Sequence, residues 1–448
     1  MLHCASIHQA NPEVCHVADP VITAIAAREV LDCRGLPTVQ AELELDGRHL
    51  GRADVPSGRS TGSYEAVELR DGGPRFGGFG VTRAVESIRG EIADALVGRP
   101  LASQRKLDTT LIDLDGHADK GRLGANALLG VSLAAARAAA LAADVPLYRH
   151  LNAASHTLPA PLVNLINGGR HASNDLDFQE FIIVPVGAGS LLEALQLSTE
   201  VNLALAELLS ARYGKVALNT GDEGGFAPPI GRPQEALELL HEAVAAAGYD
   251  GRFVYGLDCA ATHFYDADAG VYTLAGETYT PAALADLYRR LIDDYGVVTI
   301  EDPFQEDDFE GFAALTASSH IQIVGDDLFV TNPERLRQGL GVGAANALLW
   351  KVNQIGTLTE ALDVARLAHR SGLNVVVSER SGETEDPIIA DLAVAIDAGQ
   401  IKTGAPVRGE RTAKYNRLLQ IAEELDSSGR YANDALAGVV EASARPSA

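Results

Sequence analysis

The chain has 448 residues, 46% of them hydrophobic, and 61 Asp+Glu against 36 Lys+Arg give a formal net charge of −25. With a mean hydropathy near zero, +0.03, this is a soluble globular composition with apolar material for more than one core, which excludes an intrinsically disordered chain. The acidic balance argues against a nucleic-acid binder or stable membrane association, since both need a basic field, while a local basic pocket still suits a small anionic substrate.

The first twenty residues, MLHCASIHQANPEVCHVADP, read as a flexible tail. No basic segment leads into an apolar run there, so no signal peptide is expected. Cys4, His8, Cys15 and His16 match no zinc spacing. Cys4, Cys15, Cys33 and Cys259 contain no CxxC pair and make no disulfide framework. A cytoplasmic protein is the default. Residues 21–150 read as a small α+β domain. Alternation in VQAELELDGRHLGRADV predicts antiparallel strands, Gly-rich loops follow at PSGRSTGSYEA and DGGPRFGGFG, and helical patterns occupy much of 81–150. The most apolar stretch, 127–148, is Ala-rich and interrupted by Arg137 and Asp144. It reads as a buried helix and not a membrane span.

From Pro159 onward short apolar runs alternate with helical patterns: PLVNLINGG, FQEFIIVPV, FVYGLD, VVTIED, IQIVGDD, NALLWK and NVVVSER. Asp258, Glu301, Asp326 and Lys351 end four of these runs, the last three at 25-residue intervals, which suit a compact strand–helix unit. Repeated βα units with polar strand ends predict a (β/α) barrel over 151–440, with its chemistry at the C-terminal face. An open doubly wound sheet gives similar strings, but no GxGxxG follows any strand. The alternation breaks once. Ser190-Leu-Leu-Glu193 is a capping box opening a helix that Gly214 stops after Tyr213, and a second helix runs from Pro233 to Gly248, so the barrel begins irregularly.

Three carboxylates, Asp258, Glu301 and Asp326, end successive strands and would converge on one barrel face. A solvated loop acid is the plainer reading of any one of them; three in consecutive units point to a hard cation such as Mg²⁺. Lys351, set among Leu, Trp and Val, is either snorkelling or a base with a lowered pKa. Glu180 lies at a strand start and Glu223 in a Gly-flanked loop. Arg380, Ser381 and Lys402 supply the positive charge and hydroxyl that an anionic ligand needs. A lysine base, a carboxyl acid and a divalent cation are the parts for removing a proton α to a carboxylate and expelling a β-hydroxyl.

Over about 22–425 the sequence resembles the enolase (phosphopyruvate hydratase) family, through DCRGLPTV, PSGRSTGS, ELRDG, NALLGVSLA, LINGGRHA, QEFIIVPVGA, GDEGGFAP, LDCAATHFY, TIEDPF, VGDDLFVTN, KVNQIGTLTE, RSGETED and IKTGAP. The resemblance implies an α/β protein with a small N-terminal α+β domain and a (β/α)8-type barrel of irregular ββαα start, usually a homodimer. Its activity would be the reversible, Mg²⁺-dependent dehydration of 2-phosphoglycerate to phosphoenolpyruvate, with two Mg²⁺ per site. By position, Asp258, Glu301 and Asp326 would hold one Mg²⁺, and Ser60 in the lid loop the second. Lys351 would abstract the C2 proton, and Glu223, supported by Glu180, would protonate the leaving hydroxide. Arg380 and Ser381 would bind phosphate and Lys402 carboxylate, His171 would close over the phosphate, and Gln179 would contact substrate.

The chain departs from the family at Glu379, where the family has histidine (SHRS), and at Arg59, where the lid has a small residue (PSGAST). Trp350, Asp54 and Gly409 are lesser changes. Glu379 adds a third carboxylate near Glu180 and Glu223. Two other readings follow: an enolase-like dehydratase for a modified, phosphonate-type phosphoglycerate, with Arg59 meeting its extra anionic group, and a non-catalytic binding or structural protein on this scaffold.

Overall fold

The computed structural model describes residues 19–59 and 61–436; Ser60 and the Cys4/His8/Cys15/His16 group lie outside them. Three strands open the chain: β1 (Ile22–Leu31), β2 (Pro37–Leu45) and β3 (His49–Asp54), paired antiparallel with β2 in the centre. The alternation in β2 buries Val39, Ala41, Leu43 and Leu45 on one face. On the other, Glu42 pairs with Arg28 at 2.8 Å and Arg52 at 2.7 Å. The sequence reading passed over β1, because it buries only Ile22 and Ala27 and so carries no alternation.

The apolar stretch forms helix α1 (Ala125–Ala142), which covers this sheet. By length and hydropathy it could cross a membrane, yet 78% of it is buried inside the protein. Its alanines serve close approach: a Cβ on Gly51 of β3 would come 2.0 Å from the Ala134 carbonyl oxygen. The helix stops short of Tyr148, because Asp144 turns to φ 55° and Pro146 begins a separate turn, Leu147–Leu151.

The barrel comprises β4 (Ala160–Asn167), β5 (Glu180–Val184), β6 (Val254–Asp258), β7 (Val297–Glu301), β8 (Gln322–Gly325), β9 (Ala347–Trp350), β10 (Asn374–Ser378) and β11 (Gly399–Lys402), closed by β11 against β4. β5 runs antiparallel to both neighbours. Between β5 and β6 lie α2 (Leu191–Tyr213) and α3 (Pro233–Ala246), the irregular start expected. Ser190 caps α2 by accepting from the Glu193 N–H, while the Glu193 carboxylate returns to the Gly189 N–H, one residue outside the expected box. The strand β11 gave no apolar run because its inward residue is polar: Gln400 exchanges amide bonds with Gln322 at 2.8 and 2.9 Å inside the barrel.

Strand period decides which side chains reach the mouth. Val254, Val324 and Leu349 pack in the barrel interior, so Asp258, Asp326 and Lys351, each an even number of residues on, face the same way. Reversal of β5 brings its first residue, Glu180, to this end, opposite Asp258. Trp350 has the other parity and is fully buried outside the barrel, where its indole N–H donates to the Ala361 carbonyl at 2.7 Å. Trp350→Ala is expected to cost about 3–5 kcal/mol of stability, measurable by urea unfolding followed by circular dichroism.

Candidate active site

At the barrel mouth Lys402 Nζ donates to Glu180 Oε1 (3.1 Å), Asp258 Oδ2 (3.2 Å) and both oxygens of Glu301 (2.9 and 2.8 Å). Gln179 Nε2 adds a bond to Asp258 at 3.1 Å. Lys351 Nζ pairs with Asp326 at 2.5 Å, and the other Asp326 oxygen accepts from Gln354 at 2.8 Å. Across the mouth, His171 Nδ1 lies 3.3 Å from Glu223 Oε1, and Asn164 donates to Glu223 Oε2 at 3.1 Å. Ligand atoms of His171, Glu180 and Glu223 lie within 4.8 Å of one another. All these ionisable groups are buried apart from Lys351, whose side chain is 12% exposed.

Burial in so acidic a place sets the proton affinities. Glu180 and Glu301 are pushed well up, by burial first and then by Glu223 and Asp258 respectively. Burial also pushes Glu223 upward, but His171, Lys402 and Arg411 together outweigh it and hold this carboxylate well below its ordinary value. The Glu180/Glu223 pair titrates together, with its proton on Glu180 in this arrangement. Lys351 is corrected here: burial is the largest single effect and pulls it down as expected, but the carboxylates around it, Asp326 first and then Glu301, together keep it above its ordinary value. Lys402, desolvated among carboxylates, is held well up by Glu180 and Glu301.

The donor set fits a hard divalent cation. Asp258, Glu301 and Asp326 converge with oxygens only, and with Glu180 they present four carboxylates to two lysines. Buried Glu180 Oε2 and Gln179 Oε1 have no hydrogen-bond partner among the described residues. A second acidic group, Asp302, Asp326 and Asp327, is differently used: Asp302 already accepts from the Asp326 and Asp327 N–H groups at 3.0 and 2.7 Å.

At the cavity's outer side, Arg380 donates to Glu65 at 2.8 and 3.1 Å and to Asn353 at 3.1 Å, while Ser381 Oγ accepts from the Arg59 N–H at 2.9 Å. Glu379 Oε2 pairs with Arg411 at 2.5 Å, and its Oε1 has no hydrogen-bond partner among the described residues. The fully buried Arg411 also holds the carbonyls of Asp222, Arg380 and Ser381, at 2.9, 2.9 and 2.8 Å. Gly404, at φ 81°, makes room, since a Cβ there would lie 2.8 Å from Glu379 Oε1. Sequence reasoning missed Arg411, Glu65, Asn164 and Gln354. Glu65, Asn164 and Gln354 lie in quoted stretches and Arg411 lies five residues beyond one, but only the fold shows that they turn toward the site.

Glu379 is pushed up to about 8 by burial; Arg411 pulls it down, and Glu223 and Glu383 push it up again. Folded protein therefore binds a proton that the unfolded chain has shed, and stability falls as pH rises from the ordinary 4.5 toward about 8. Glu379→Gln is expected to flatten that fall, seen as a smaller drop in Tm between pH 5 and pH 9 than in the parent.

A half-buried lysine facing an acid pair across a cluster of buried carboxylates, at the C-terminal end of a barrel, defines an enzyme of lyase type. The description "Enolase, N-terminal domain" matches residues 22–151, and "Enolase, C-terminal TIM barrel domain" matches 155–438. The enolase of Methanocaldococcus jannaschii is 56% identical over 408 residues, covering 91% of this chain and 96% of that protein. Those of Methanopyrus kandleri and Thermococcus gammatolerans are 55% and 54% identical, each covering 92% of this chain, and 98% and 96% of their own lengths. The chain belongs to the enolase family, and is an enzyme of the phosphopyruvate hydratase class, a carbon–oxygen lyase.

Proposed function

We propose that the chain catalyses the reversible dehydration of 2-phosphoglycerate to phosphoenolpyruvate in cytoplasmic glycolysis, as a homodimer or higher homo-oligomer. Residues 21–150 cap the site and 151–440 carry it. The observation that supports this best is the placement of Lys351 and the Glu180/Glu223 pair on opposite sides of one buried carboxylate–lysine cluster.

Lys351 Nζ takes the C2 proton, the C2–H electron pair becomes the C2=C3 bond, and the C3–O bond breaks. Glu223 gives the departing hydroxide its proton, so water leaves, and Glu180 beside it supplies the proton that the pair holds. Arg380 and Ser381 receive the phosphate, Lys402 the carboxylate, and Gln179 contacts the substrate while His171 closes over it. Asp258, Glu301 and Asp326 would hold one Mg²⁺, and Ser60 the second. When bound, Mg²⁺ supplies positive charge against the electron density that proton removal places on the substrate carboxylate.

Purified protein given 2-phosphoglycerate and Mg²⁺, followed by enolpyruvate absorbance, tests this reading. Robust turnover is expected. The second reading, a phosphonate-type phosphoglycerate, draws on the third carboxylate, Glu379, facing the acid pair. Weak turnover that Glu379→His restores would favour it, as would no turnover by a protein that binds Mg²⁺.

A further inference from the structure

Arg59 makes three ties from one residue of the lid loop. Its N–H donates to Ser381 Oγ at 2.9 Å, and its guanidinium Nη1 reaches the Arg170 carbonyl at 3.1 Å and Asp222 Oδ2 at 3.0 Å. These partners belong to three separate segments: the one that follows β10, the one carrying His171, and the one carrying Glu223. The last two are joined by their backbones, since the Asp222 N–H donates to the His171 carbonyl at 2.9 Å.

The lid has its own anchors on either side. Ser57 exchanges backbone hydrogen bonds with Gly382 at 2.8 and 2.9 Å. Glu65 pairs with Arg380 at 2.8 Å, and the Ser63 N–H donates to Glu306 at 3.0 Å. None of these reaches the Glu223 or His171 segments. Only a long, branched donor at position 59 spans that distance, and a small residue there could not. The Arg59 side chain is 53% exposed against 20% for Asp222, so the tie is open to solvent.

We propose that Arg59 is a positioning residue, a clasp that joins lid closure to the placement of Glu223 and His171. The acid then reaches its working position only with the lid shut. The inference rests on the roles given above to Glu223 and His171, and it differs from a ligand-binding role because the guanidinium is already engaged by Asp222 and Arg170.

Hydrogen exchange of the ligand-free protein tests it without any substrate. In Arg59→Ala, amides of 58, 59, 61 and 62 and also of 168–174 and 219–225 are expected to exchange about fivefold faster, the scale of an exposed ion pair. Arg59→Lys, with one point donor, should fall between. Acceleration confined to the lid, or none, would overturn the clasp. Kinetics with 2-phosphoglycerate give the second arm. Arg59→Ala should lower kcat by about fivefold with little change in KM, and added NaCl should bring the parent toward the variant by screening the pair. A raised KM at unchanged kcat, or a KM lowered by Asp222→Asn, would instead make Arg59 a substrate-binding cation. If the parent shows the coupled exchange but no turnover, the clasp stands and the substrate reading fails.

Discussion

Lys351→Met is expected to lower kcat on 2-phosphoglycerate by about 10⁴-fold, the upper range for loss of a general base. Methionine keeps the apolar stem that packs at the end of β9 and removes only the ammonium. Without it, the remaining side-chain partner of Asp326 among the described residues is Gln354, at 2.8 Å, an amide that takes no proton. The variant should also lose exchange of the C2 proton with solvent deuterium, read by proton NMR. Glu223→Gln makes the contrast. It leaves the base in place and removes the acid, so C2 exchange should persist while water loss stops. Retained C2 exchange in Lys351→Met would move the base elsewhere on the mouth. Breaking the Lys351–Asp326 pair leaves a buried carboxylate uncompensated, with a stability loss of about 3–5 kcal/mol. Kinetics must therefore be read at a temperature where circular dichroism shows the variant folded.

Seven of the eight barrel strands were legible as apolar runs, because inward and outward residues of a barrel strand are both covered. The eighth, β11, hides behind Gln400, whose polarity is satisfied by Gln322, a partner 78 residues away that no local pattern can announce. Strand β1 was hidden for the opposite reason, an edge with too few buried positions. The acids at the mouth were legible through their spacing. Their proton affinities were not, because those depend on who stands opposite. Lys351 read as either a snorkelling lysine or one lowered by its apolar neighbours, yet the acids facing it, Asp326 from the adjoining strand first, together outweigh that burial. Glu379 looked like a third charge pressing on the acid pair, and its main partner proved to be Arg411, from a helix 32 residues on. Linear sequence carries residue type and parity; the sign of an electrostatic site is set by contacts that only closure of the barrel brings together.

Glu301→Gln is expected to weaken Mg²⁺ binding by more than about 100-fold, since losing an outer partner of a metal ligand already costs about 10- to 100-fold. Glu301 is the one of the three that sets both oxygens against Lys402, at 2.9 and 2.8 Å. Glutamine keeps the shape but presents one oxygen and an NH₂ that faces the Lys402 ammonium with the wrong sign. The pH dependence separates loss of a ligand from general damage. Glu301 is raised well up by burial and by Asp258, so it keeps its proton to higher pH than an ordinary glutamate, and cation binding would displace that proton. Mg²⁺ affinity in the parent should therefore rise with pH, with protons released on binding, as titration calorimetry in buffers of different ionisation heat would record. In Glu301→Gln that proton no longer exists, so the weakened affinity should depend less on pH and release fewer protons. A variant equally weakened but with unchanged proton release would place the displaced proton on Glu180, the other carboxylate on Lys402 that burial raises, and leave Glu301 as a partner of Lys402 alone.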